Sequence, residues 1–138
     1  MSTPNRVVIT ELNIEQFTKL QTEMGNRILL VKFGADWCGP CKRIAPFFHK
    51  LIELCSPNIL LADINVDNNM DLYLALKKNK MVQGVPAFLV YYGNIKRDKW
   101  FIPDDSVVGA NEEQLTQLFA RCEAKLATMT LGGYSYYS

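Results

Sequence analysis

Three short runs of nearly uninterrupted apolar residues constrain the fold of this chain more than any other feature. They are ILLVKF at 28–33, ILLADINV at 59–66 and AFLVYY at 87–92. A strand with one covered face alternates apolar and polar residues, whereas a near-continuous run marks a strand covered on both faces. Between the runs the period lengthens. Ile44, Phe47, Phe48, Leu51, Ile52 and Cys55 recur at helical spacing, which predicts one helix from Cys41 onward with a wide apolar face and a kink at Pro46. Ile14, Phe17, Leu20 and Met24 predict an earlier helix, opened by a capping box of Asn13 and Gln16 and closed by Gly25.

The remaining segments complete the alternation. RVVIT at 6–10 is a β-branched run, 71–79 reads as a short helix, and Gly93-Asn94 as a turn. Residues 99–108 are less regular, with Pro103 inside them. Asn111 and Gln114 cap a last helix carrying Leu115, Leu118, Phe119, Cys122, Leu126 and Met129 on one side. The order β-α-β-α-β-α-β-β-α predicts an α/β fold, a central mixed sheet of about five strands flanked by four helices, with an antiparallel hairpin at its edge. One domain is expected over 1–127, followed by a disordered tail over 128–138, whose end, TLGGYSYYS, shows no period.

Composition excludes several classes of function. A chain of 138 residues can bury a core without staples, and a net charge of +1 argues against a nucleic-acid or acidic-lipid surface. The N-terminal residues lack the basic-then-apolar pattern of a secretory signal, and no stretch approaches the ~20 apolar residues of a membrane span. A soluble, cytoplasmic protein without a membrane partner is the expectation.

Cysteine chemistry then becomes the question. In VKFGADWCGPCKRIAP (31–46), Cys38 and Cys41 are separated only by Gly39 and Pro40. Structural zinc needs about four ligands, usually as two matched pairs. Cys55 and Cys122 stand alone on apolar helix faces, and His49 is the single histidine, placed on a surface of its helix, so no metal is expected. As a structural staple the pair would close too short a loop to restrict the unfolded chain much. A reversible redox couple fits better. Cys38 falls where a strand gives way to a helix, and unpaired N–H groups at a helix start favour a thiolate. Cys41 falls in the first turn, within reach of disulfide geometry. Pro40 is tolerated there, and Gly39 leaves the approach to Cys38 open.

The stretch Trp37-Cys38-Gly39-Pro40-Cys41-Lys42 resembles the active-site motif of thioredoxins. Val85-Pro86 before a strand resembles the family's cis-proline loop, and Gly109-Ala110 before the last helix its second substrate-facing loop. Ala45-Pro46-Phe47-Phe48 resembles the body of its long helix, so residues 6 to 127 can be laid on the thioredoxin fold. The resemblance implies an enzyme, a protein-disulfide oxidoreductase. Cys38 would be the exposed nucleophile that forms a mixed disulfide with a target protein, and Cys41 the more buried resolving thiol. Val85, Pro86, Gly109 and Ala110 would receive the target chain, and Trp37 would complete the rim. No bound cofactor is implied beyond the Cys38–Cys41 disulfide. Electrons would come from NADPH through a thioredoxin reductase, and the partners would be disulfide-containing proteins.

Departures from the family pattern are informative. Lys32 stands where many thioredoxins have a buried aspartate, and Asp63 where bacterial members have its lysine partner. The implied charges are exchanged, which predicts a Lys32–Asp63 ion pair, since a buried charge is costly without a partner. Lys32 would either favour the Cys41 thiolate as an ammonium or act as a neutral base, unless it snorkels to solvent. Gly34 replaces a bulky aromatic and should open the floor of the site. The segments 67–86 and 93–109 are longer than in compact thioredoxins, and the second, which holds Trp100 and Arg97, reads as a solvated turn or else as a partner contact. Two functions follow: a general disulfide reductase, which the Gly-Pro dipeptide favours, or a thioredoxin-fold interaction module that chiefly binds partners.

Overall fold

The structure, a computed structural model, describes residues 6–135 and their side chains through Met129. Its elements are β1 (Val8–Ile9), α1 (Ile14–Glu23), β2 (Ile28–Gly34), α2 (Gly39–Leu54), β3 (Ile59–Asn65), the 3-10 turn Val66–Asn68, α3 (Met70–Lys78), β4 (Ala87–Tyr92), β5 (Asp105–Val108) and α4 (Glu112–Ser135). The strands form one mixed sheet in the order β1-β3-β2-β4-β5. β1 and β2 run parallel to β3, while β4 runs antiparallel to both β2 and β5.

Every residue of β2 is buried, Lys32 included, as a strand covered on both faces requires. Side chains of successive strand residues point to opposite faces. Leu29, Val31 and Phe33 therefore enter the core shared with Phe17, Leu72 and Leu76, while Ile28 and Leu30 enter the one shared with Ile44, Phe48, Leu118 and Cys122. Lys32 has the parity of Ile28 and Leu30, and Asp63 that of Ile59 and Leu61, so both are directed toward the α2 side of the sheet.

Local chemistry fixes the helix ends. Asn13 and Gln16 exchange reciprocal hydrogen bonds, and Asn111 accepts from the Gln114 N–H at 2.8 Å. At the far end of α2, the Arg6 guanidinium donates to the carbonyls of Ile52 and Cys55, and to those of Ser56 and Ile59 on the way into β3, tying the helix end to the sheet.

α2 is one helix of 16 residues that contains Pro46, as its apolar period predicts. Two expectations change. α4 runs past 127 to Ser135, so the described part of the expected tail is helical, and 136–138 lie outside the described residues. Leu126 is buried and Met129 packs on the same core, so the apolar period outlasts the compositional break, and a formed helix extends at little cost. Trp100 is not a free partner contact. It is half-buried, stacks edge-on to Phe17 at 5.7 Å, and its carbonyl accepts from Gln21. Arg97 is likewise occupied, by Asp104, two carbonyls and the Tyr91 ring.

Candidate active site

β2 ends at Gly34, and the chain turns through Ala35–Trp37 into α2, leaving Cys38 as the residue that caps the helix. Its sulfur accepts the Cys41 N–H at 3.2 Å, so the helix start solvates this sulfur as expected. Cys38 and Cys41 are joined as a disulfide with Cα atoms 5.2 Å apart. Pro40 sits in the first turn, and a side chain at Gly39 would meet nothing within 4 Å. The approach to Cys38 is therefore unobstructed over Gly39 and Pro40, both exposed.

Exposure of the two cysteines differs from expectation. Cys38 is 5% and Cys41 4% accessible, so neither is an exposed residue. The cause is the loop facing them: the Cys38 Sγ lies 3.6 Å from the carbonyl oxygen of Val85. That loop carries the cis Val85-Pro86 bond, and the Pro86 carbonyl accepts the Gly109 N–H at 2.8 Å. Gly109 has φ +97°, a region in which glycine alone is unstrained. Val85, Pro86, Gly109 and Cys38 thus meet at one end of the sheet. Ala110, half-buried, packs on the α2–α4 core.

Trp37 is 69% exposed, as a residue of the rim should be. Its Nε1 donates to Asp67 Oδ2 at 3.0 Å, fixing the ring beside Cys38. Sequence reasoning missed Asp67, because the contact spans thirty residues and no local pattern marks it.

Lys32 and Asp63 are register partners on adjacent strands, with Nζ 3.8 Å from Oδ1. Lys32 is 5% exposed, so it does not snorkel outward, and its Nζ lies over the Phe48 ring at 5.2 Å from the centroid. The second oxygen of Asp63 faces His49 Nε2 at 3.7 Å. His49 is on the surface as expected, but it is the third member of this charged row.

A cavity of about 390 Å³ opens beside the disulfide, lined by Lys32, Gly34, Cys41, Lys42 and Asp63 among others. A Cβ built on Gly34 would stand 3.5 Å from the Cys41 Sγ and 3.6 Å from the Lys32 Cε. A larger side chain would enter this space, so Gly34 opens the floor of a cavity that Cys41 and Lys32 both line. The other two cysteines are placed differently. Cys122 is buried, and burial, helped by the nearby Asp105 charge, pushes its thiol up to about 12. Cys55 is half-buried and also raised by burial, against the opposing pull of Arg6.

The thioredoxin family model matches residues 8–121. This chain is a member of the thioredoxin family. Thioredoxin of Ophiophagus hannah is 31% identical over 105 residues, covering 76% of this chain and 89% of that protein. Thioredoxin of Coprinus comatus is 35% identical over 107 residues, covering 77% and 89%. The X-ray structure of Fasciola hepatica thioredoxin superposes with a TM-score of 0.63 at 31% identity, covering 82% of this chain and 98% of that one. The family is one of thiol-disulfide oxidoreductases, and this thioredoxin-family chain carries the paired cysteines that such chemistry requires. Among the described residues no helix is long and apolar enough to cross a membrane.

Proposed function

We propose that this protein is a reducing thioredoxin of the cytoplasm, recharged by a thioredoxin reductase with electrons from NADPH. The observation that carries the reading is the Cys38–Cys41 pair at the start of α2, facing the Val85-Pro86 loop. In the dithiol form, the Cys38 thiolate attacks one sulfur of a target disulfide. A new Cys38–target bond forms, the target disulfide breaks, and the second target sulfur leaves as a thiolate that takes a proton. Cys41 then gives up its proton to water, attacks Cys38 and closes the Cys38–Cys41 bond. The first target sulfur departs and is protonated. The target has gained two electrons, which the cysteine pair has lost.

Each neighbour has a role in this scheme. Val85, Gly109 and Ala110 border the place where a target backbone would lie as an added strand, with Pro86 supplying no competing N–H. Trp37 forms the rim. Gly39 and Pro40 set the turn and keep it accessible. Lys32, paired with Asp63 and stacked on Phe48, acts as an ammonium that favours the Cys41 thiolate.

Turnover tests the proposal: reduction of insulin disulfides at catalytic protein concentration, with NADPH oxidation followed through a thioredoxin reductase. Many turnovers, abolished by Cys38→Ser, are expected. Cys41→Ser should trap a mixed disulfide. Stoichiometric, redox-independent partner binding without turnover would favour the interaction-module reading, which has lost Trp100 as an exposed anchor.

A further inference from the structure

α3 is tied to the redox site at both ends. Before it, Asp67 holds the exposed Trp37 ring. After it, residues 81–84 lead directly into Val85-Pro86. Leu72 and Leu76 are buried, so the helix presents its opposite side outward, and Met70 and Leu74, one turn apart, are each 49% exposed there. Farther along stand Lys77, Lys78 and Lys80, all exposed. Among the described residues, none of these three lysines is paired with a carboxylate.

Lys80 stands out by its backbone. The Met81 N–H returns to the Leu76 carbonyl at 2.8 Å and the Lys80 N–H to the Lys77 carbonyl at 3.0 Å. That double closure places Lys80 at the left-handed position, φ +64°, which glycine normally occupies. The chain thus sets a charged side chain, without a partner, at a position that disfavours any side chain. Departures from local consistency without a structural gain concentrate at functional sites.

We propose that the outer face of α3 is a docking surface for the target protein: an acidic segment flanking the target cysteine, carrying an apolar side chain. Met70 and Leu74 continue the rim begun by Trp37 and receive the apolar residue. Lys77, Lys78 and Lys80 meet the carboxylates. The proposal rests on the reductase reading, since the segment docks while its cysteine faces Cys38. Asp71 is the one carboxylate beside three lysines here, and that excess of like charge opposes pairing of the face with a second copy of itself.

The probes are ten-residue peptides whose single cysteine is a mixed disulfide with thionitrobenzoate, flanked by leucine and then by glutamates, lysines or serines. Release of thionitrobenzoate by the reduced protein gives the rate, normalised to the rate with dithiothreitol to remove intrinsic reactivity. The glutamate peptide should react about tenfold faster than the lysine peptide at low salt, and the gap should narrow above ~0.5 M salt. Lys77→Glu, Lys78→Glu and Lys80→Glu together should reverse the order. Met70→Ser with Leu74→Ser should slow the leucine peptides but not versions with serine in place of leucine. Unflanked hydroxyethyl disulfide, which carries no charge, should be reduced equally by all variants. Equal rates for all three flanks, or a preference that survives the lysine substitutions, would overturn the docking surface while leaving the reductase intact. Failure to reduce the unflanked disulfide would overturn the reductase reading, and the docking surface with it.

Discussion

Lys32 and Asp63 lie side by side on β2 and β3, Nζ 3.8 Å from Oδ1, with the lysine almost wholly buried and the aspartate reaching on toward His49. An ammonium sharing a cavity with Cys41 should stabilise the thiolate, and thereby the reduced dithiol. Lys32→Met removes that charge, so the Cys38–Cys41 potential should fall, becoming more reducing by on the order of 30 mV, a tenfold change in the exchange equilibrium. Equilibration with glutathione buffers, read by mass after alkylation, measures it. An unchanged potential would assign Lys32 a packing role only. Stability should fall by about 1–2 kcal/mol because Asp63 is left half-buried beside His49 alone, and adding Asp63→Asn should restore most of it.

Cys122 sets a pH dependence. Its folded thiol is raised, chiefly by burial, to about 12 from an ordinary value of 9.0. The folded state therefore holds a proton that the unfolded state releases. The stability tied to this group is whole below pH about 9 and is lost as pH rises from there toward 12, at a slope approaching 1.4 kcal/mol per unit. Tyr91, raised by burial as well, adds to the loss above its ordinary value of 10.0. Urea midpoints at pH 8, 9.5 and 10.5 should fall more shallowly for Cys122→Ala than for the parent. Parallel slopes would mean the thiol is not the source.

How much of this was legible beforehand depended on the range of the interaction. Caps such as Asn13 with Gln16 were readable because both partners lie within one turn. The buried strands were readable because covering both faces forces an apolar run. Sheet order was not, since placing β3 between β1 and β2 depends on contacts across the whole chain. The paired cysteines needed only local spacing, but the Lys32–Asp63 pair needed a family resemblance, because nothing in composition or period aligns two strands in register. The contacts of His49 with Asp63 and of Asp67 with Trp37 were illegible for the same reason. Trp100 was misjudged because an irregular segment has no period to show which side faces the core.

Gly93 is a backbone crossing rather than a flexible turn. Its N–H donates to the Arg27 carbonyl at 2.8 Å, and a Cβ there would overlap the Gly25 carbonyl oxygen and stand 2.7 Å from that of Arg27. Both obstacles are main chain and cannot rotate away. Gly93→Ala should therefore cost about 2–3 kcal/mol, whereas Gly34→Ala, meeting ordinary contacts at 3.5 Å, should change the urea midpoint little. Comparable midpoints for the two variants would contradict the close approach.

Lys80 separates stability from recognition. A left-handed conformation costs a residue with a side chain about 1–2 kcal/mol, while glycine gives back about 0.4–1 kcal/mol through the entropy of the unfolded chain. Lys80→Gly should therefore gain about 0.5–1 kcal/mol in a urea titration, keeping the helix closure to Leu76 and Lys77 intact. The same variant should lose part of the preference for acidic flanks, because a charge leaves the α3 face while the redox pair is untouched. Lys80→Asn, which tolerates the same conformation, should recover less of the stability and none of the preference. A variant that gained stability and kept its full preference would show Lys80 to be a tolerated misfit, and one that lost stability would show that its side chain supports the helix end after all.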